Sequence, residues 1–188
     1  MTNQQNILAC ALQLFASKGY DAVGVQEIVL QAGITKPTMY YYFENKRGLL
    51  EAIMKEYSAK LLIVVTKASI YNGDITKTLT DVASTYFDFA VKYPDFFRLQ
   101  LSLWLAPPDS KPFQVILPYL ELEQRSIEEI FVNAVKDHGN MKGRHIIYAL
   151  SFLGIIHTYI GVAFNGYTKL NNELVHKLIH QFMHGIFS

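Results

Sequence analysis

An all-α protein of about nine helices is what this sequence predicts, and three observations carry the prediction. Apolar residues recur at steps of three and four along almost the whole chain. No segment alternates apolar and polar residues long enough to read as a strand, and the breaks between periodic segments fall at Gly, Pro and Asn. With 188 residues, 51% hydrophobic and 18% charged, the chain is one or two domains and buries a core without covalent staples. Cys10 is its single cysteine, so no intrachain disulfide can form. Polar residues Thr2 to Asn6 open the chain where a secretory leader would place a basic stretch and an apolar run, so the expected location is the cytoplasm. Seventeen Lys+Arg against sixteen Asp+Glu give a net charge of +1, so bulk charge does not mark the chain for nucleic acid.

Ile7, Leu8, Ala11, Leu12 and Phe15 share one face of a first helix over residues 5–18, which Gly19 ends. Ile28, Val29 and Ala32 make a second helix of about two turns from Val25, stopped at Gly33, a residue suited to a left-handed cap. Thr35 caps a third short helix whose first turn holds Pro37, where a missing N–H costs nothing. A long fourth helix follows Asn45, with Leu49, Leu50, Ile53, Met54, Tyr57, Leu61, Val64, Val65 and Ala68 on one stripe, and Asn72-Gly73-Asp74 closes it.

Leu79, Val82, Ala83, Tyr86, Phe87 and Ala90 line a fifth helix that stops before Pro94, and a sixth runs from about Asp95 to Leu105. Ala106 to Pro112 holds three prolines and reads as a loop, after which Pro118 starts or kinks a seventh helix ending near Gly139. An eighth helix, about Arg144 to Asn165, is apolar nearly all round; a ninth covers roughly Asn172 to Phe187. Ile146 to Phe164 carries no charged residue and meets the length of a membrane span. Ser151, His157, Thr158 and Asn165 interrupt it, however, and its neighbours are ordinary amphipathic helices, so it reads as the buried centre of a bundle. Ser151, Gly154, Thr158, Gly161 and Asn165 recur at steps of 3, 4, 3 and 4, a seam for close helix packing. The seam receives either a helix of the same chain or its own copy in a dimer.

Two short helices around a tight turn, braced by a third, form a helix-turn-helix, here over about residues 24–43. Its second helix has an unusual composition. Met39 and Phe43 lie one turn apart as core anchors, so Pro37, Thr38 and Tyr41 face the other way, flanked by Tyr40 and Tyr42. A two-turn helix has one inward face; three successive tyrosines therefore leave an exposed aromatic face whose hydroxyls can bond phosphates or pack on thymine methyls. Lys36 and the Lys46-Arg47 pair bracket the helix with positive charge, and the helix N-terminus near Lys46 adds backbone N–H donors for a phosphate.

On LFASKGYDAVGVQEI (Leu14 to Ile28) and AGITKPTMYYYFENKRGLL (Ala32 to Leu50), residues 7–50 resemble the N-terminal DNA-binding domain of the tetracycline-repressor (TetR) family of bacterial transcription regulators. The resemblance implies a DNA-binding domain over residues 1–48 and a ligand-binding and dimerisation domain over 49–188. It implies DNA contacts from Thr35, Lys36, Pro37, Thr38, Tyr40 and Tyr41, with Lys46 on a phosphate. Gly24 stands where the family usually has a capping Thr, which leaves only backbone N–H groups there, and Val29 replaces the usual Ala. The family pairs its last two helices in a four-helix interface, which here implies a homodimer through Ser151, Gly154, Thr158, Gly161, Leu178 and Phe182. A surplus of aromatics in the later helices, with His157 among them, is what a pocket for a small hydrophobic ligand requires. The resemblance places that pocket among Tyr86, Phe89, Phe97, Trp104, Tyr119, Phe152 and His157. The expected function is a repressor that binds a palindromic double-stranded operator and is released by that ligand, with no cofactor, catalytic residue, metal or membrane partner.

The rival reading is a helical-bundle metalloprotein or enzyme. Glu173-Leu174-Val175-His176 has the Glu-x-x-His spacing of di-iron bundles, and His176, His180 and His184 form a row. A di-iron site needs a second such motif, and none occurs; nor does any Walker loop, Gly-x-Ser-x-Gly or His-Glu-x-x-His.

Overall fold

Helix-forming periodicity becomes nine α-helices and no strand among the residues described, 2–185 of a computed structural model. They are α1 (Asn3–Lys18), α2 (Val25–Ala32), α3 (Lys36–Phe43), α4 (Lys46–Ala68), α5 (Ile75–Lys92), α6 (Pro94–Trp104), α7 (Lys111–Ala134), α8 (His145–Phe164) and α9 (Asn172–His184), with a 3-10 turn at Gly139–Met141. The expected end of the ninth helix at Phe187 lies outside the described residues. Two compact units are distinct: one runs to Ala59 and resumes over Asp95–Tyr119, the other takes Lys60–Pro94 and the chain from Leu120 on.

In the first unit each helix begins at the residue chemistry dictates. Thr2 caps α1 through a reciprocal pair with Gln5, Thr2 Oγ1 accepting from the Gln5 N–H at 3.3 Å and Gln5 Oε1 accepting from the Thr2 N–H at 3.0 Å. This starts the helix at Asn3, two residues before the expected residue 5. α1 packs on α2 and α2 on α3, burying Ile7, Leu8, Ala11, Leu12, Phe15, Ile28 and Val29. Asn6 Nδ2 donates to the Ala32 carbonyl at 2.8 Å, which ties α1 to the end of α2 just before the turn. Leu49, Leu50, Ile53 and Met54 of α4 are buried, and Tyr57 stacks on Phe96 of α6 at 5.5 Å.

In the second unit Asp74 caps α5, its Oδ1 accepting from the Lys77 N–H at 2.8 Å, and α5 packs against α8 and α9. Its inner face Leu79, Val82, Ala83, Tyr86, Phe87 and Ala90 is fully withdrawn from water. Phe182 of α9 joins Phe131 of α7 and Phe152 of α8 at ring separations of 6.3 and 5.3 Å.

Three expectations are corrected. α7 starts at Lys111, seven residues before Pro118: Pro112 sits in the first turn, Ser110 Oγ accepts from the Phe113 N–H at 3.3 Å, and Pro118 is carried inside the helix. Val64 leaves the α4 stripe and is exposed. Lastly, α8 is not buried all round. Ala149, Phe152, Leu153, Ile156, His157 and Ile160 face inward, while Ile146, Ile147, Leu150, Ser151 and Thr158 stay exposed. By length and composition α8 also suffices to cross a membrane, though only a third of its most apolar stretch is buried. Hydrophobic content gave no sign of which side would be covered, because both sides are apolar.

Candidate nucleic-acid interface

The turn between α2 and α3 is built by Gly33, whose left-handed backbone (φ 66°, ψ 34°) lets its N–H reach back to the carbonyls of Val29 and Leu30 while the Ile34 N–H bonds Val29 at 3.0 Å. Gly24 caps α2 with no side-chain bond, as the missing Thr requires. Thr35 then caps α3: its Oγ1 lies 2.9 Å from Thr38 Oγ1 and accepts from the Thr38 N–H at 3.5 Å. With Met39 and Phe43 buried as anchors, the rest of α3 is forced outward. Tyr41 is 83% exposed and Tyr40 and Tyr42 are exposed beside it, as are Thr35, Lys36 and Pro37. Thr38 is half-buried and engaged with Thr35. Tyr41 and Tyr42 meet edge to face at 5.1 Å, so the aromatic face is held in place by its own rings.

The exit from α3 is tight. Glu44 adopts a positive φ of 60°, its N–H bonding the Tyr40 carbonyl at 2.9 Å, and Asn45 caps α4 by accepting from the Gly48 N–H at 2.9 Å. A Cβ at Gly48 would lie 2.2 Å from the Phe43 carbonyl oxygen. Only glycine therefore permits α4 to start this close to the end of α3. A glycine in a helix's first turn was visible in the sequence, but the carbonyl it must clear was not.

Lys46 is placed differently from a free phosphate ligand. Its ammonium stands 4.2 Å over the Tyr20 ring and 3.4 Å from the Asp21 carbonyl. Burial pushes its pKa down, opposed by the Asp21 charge. Arg47 pairs with Glu51 at 2.8 Å. Lys36, at the start of α3, is exposed.

The residues expected to line a pocket fall in both units: Phe97, Trp104 and Tyr119 in the first, Tyr86, Phe89, Phe152 and His157 in the second. Trp104 is 43% exposed at the end of α6 rather than a core ring. Within the second unit, buried His157 of α8 lies edge-on to Tyr86 at 6.1 Å and its Nε2 is 3.4 Å from Glu123 Oε1 of α7, itself buried. Burial, and then the Glu123 charge, hold the Tyr86 hydroxyl well above its usual pKa. Glu123 escaped the sequence reading, though a carboxylate on the Leu120, Ile127, Ile130 face was a readable signal. Of the residues expected at a dimer interface, Ser151 and Thr158 are exposed, Gly154 and Gly161 partly so, and Phe182 half-buried. Leu178 is corrected: at 1% exposure it belongs to the core of its own chain. His176, His180 and His184 are exposed on α9, and no group of three or more His, Cys, Asp or Glu able to hold a metal occurs among the described residues.

Fold and site together define a helix-turn-helix DNA-binding protein, with a tyrosine-rich recognition helix presented to solvent. Residues 7–53 match the family profile described as bacterial regulatory proteins, tetR family. The uncharacterized HTH-type transcriptional regulator YvkB of Bacillus subtilis is 25% identical over 84% of this chain and 80% of its own length. The regulator FadR of Bacillus subtilis, solved in complex with stearoyl-CoA, superposes with a TM-score of 0.81 at 21% identity, covering 97% of this chain and 98% of that one. AibR, solved in complex with isovaleryl coenzyme A and operator DNA, gives 0.77 at 19% identity over 96% and 97%. Residues 7–53 thus form a TetR-family DNA-binding domain, and the chain is a DNA-binding transcription regulator rather than an enzyme.

Proposed function

We propose that the protein acts in the cytoplasm as a repressor, binding a palindromic operator as a homodimer through α3 and released by a small hydrophobic effector held by the 49–188 domain. The observation that carries the DNA side is the outward face of α3: Tyr41 at 83% exposure, with Lys36, Pro37, Tyr40 and Tyr42 around it. An aromatic face this large stays in solvent only at a cost that a bound duplex recovers. Thr35 and Thr38 add hydroxyls, and residues 1–48 form the reading head.

The uncovered side of α8 supports the dimer. A Cβ at Gly154 would meet nothing within 4 Å, so no helix of the same chain fills the seam there. A copy packed along Ser151, Gly154, Thr158 and Gly161, with Phe182 beside them, would cover Ile147 and Leu150 as well. Two-fold symmetry would set the recognition helices about 34–36 Å apart, on successive major-groove turns. The effector reading rests on Tyr86, Phe89, Phe152 and His157, with Glu123 as the polar group, and FadR and AibR bind acyl thioesters in the same fold. An effector acts here only through its differential affinity for the two dimer states. Fluorescence anisotropy with DNA from the protein's own upstream region tests the whole: saturable binding of one dimer per palindrome supports the reading, and no binding above random DNA overturns it.

A further inference from the structure

α9 carries a histidine at every fourth residue, His176, His180 and His184, all exposed. The row lacks the second motif that a di-iron bundle needs, but its last two members form a smaller arrangement that neither the recognition face nor the expected pocket uses. Residues four apart on a helix stand one above the other on the same face. Here the rings of His180 and His184 lie 4.8 Å apart between centroids, tilted by 46° rather than stacked flat, and both are open to solvent. A tetrahedral ion holding one nitrogen of each ring at about 2.0–2.1 Å needs those nitrogens about 3.4 Å apart. Side-chain rotation reaches that separation from the observed ring contact, with no movement of the backbone.

We infer that His180 and His184 chelate one late first-row transition-metal ion per protomer, zinc or copper(II), through one imidazole nitrogen each, with water in the remaining positions. Imidazole suits these ions, and two histidines at this spacing on one helix face are a recurrent zinc-binding pair. Position along the helix selects this pair over His176 and His180. His184 stands in the last turn, directly before the Gly185 cap, where the carbonyl end of the helix dipole favours a cation. His176 is about two turns further from that end, and Lys177, which follows it, pairs with Glu173 at 2.7 Å, so the charges of that part of α9 are already matched. No third His, Cys, Asp or Glu completes a group with the pair among the described residues, so the site is open and its ion exchangeable. It rests on neither the operator nor the effector reading.

Calorimetric titration of the untagged full chain with zinc chloride tests the site, with copper(II) sulfate and magnesium chloride as further arms. One zinc ion per protomer is expected, with copper(II) held more tightly and magnesium, which prefers oxygen ligands, not held at all. His180→Ala and His184→Ala should each bind zinc at least about ten-fold more weakly with an unchanged helical circular dichroism spectrum, whereas His176→Ala should bind as the wild type does. A chelated ion clamps the last turn of the folded helix. Saturating zinc should therefore raise the unfolding midpoint by at least about 2 °C, and by less in His184→Ala at the same zinc concentration. No zinc uptake, uptake only with precipitation, unaltered affinity in the His180 and His184 variants, or an equal loss in His176→Ala would overturn the site.

Discussion

Gly48 sets two physical effects against each other. Helix propensity favours alanine over glycine by about 1 kcal/mol inside a helix, so Gly48→Ala ought to stabilise α4. Its Cβ, however, would lie 2.2 Å from a backbone oxygen of Phe43, which cannot rotate away. Overpacking of this kind costs about 1–3 kcal/mol, so thermal unfolding of Gly48→Ala should come at lower temperature, by roughly 2–4 °C per kcal/mol, with operator binding weakened as α3 shifts. A rise in Tm would show that the turn relaxes freely. Among the exposed residues, Tyr41→Ala and Lys36→Ala should weaken operator binding without changing Tm, since neither side chain touches the Met39 and Phe43 anchors. Lys46→Ala differs, because its ammonium bridges to Tyr20 and Asp21. It should lose about 0.5–1 kcal/mol of stability as well as affinity for all DNA sequences, and retention of wild-type Tm would place the ammonium in solvent instead.

The element in which competing demands meet is α8. Its inner face carries the pair His157 and Glu123, buried between α7 and α8 at 3.4 Å. Removing one partner of such a pair strands the other, at about 3–5 kcal/mol, whereas replacing both with apolar groups of similar volume is often neutral. Chemical denaturation should therefore find Glu123→Leu strongly destabilised and Glu123→Leu/His157→Phe less so, short of wild type because the buried Tyr86 hydroxyl still loses Glu123. If the double variant is no better than the single, the cluster contributes through more than this pair. On its other face, Gly154→Leu meets open space within the chain and so should leave the protomer folded. It should break a dimer that needs the seam, and sedimentation that still finds a full dimer would remove α8 from the interface.

For the whole molecule, the proposed functional cycle would join events in different parts of one chain: operator reading by α3, pairing through α8 and α9, and ligand capture in the second unit. Binding reciprocity makes this measurable. A ligand that lowers operator affinity by some factor must have its own affinity lowered by the same factor when DNA is present. Titrating the ligand with and without operator should give matching factors, and a mismatch would mean that the ligand competes for DNA or alters the oligomer by another route.

The sequence by itself determined the helical class, the helix-turn-helix and its caps, because these depend on residues within three or four positions of each other. Gly33, Thr35, Pro37 and the Met39/Phe43 spacing act locally, and their geometry followed as read. Tertiary structure alone decided what depends on residues far apart in the chain. It put Lys46 over Tyr20, Glu123 against His157, and Leu178 in the core. The small-residue seam of α8 could be seen in the sequence, but whether a neighbour filled it could not, since an all-round apolar helix has no periodic mark distinguishing a face covered by its own chain from one left open for a partner.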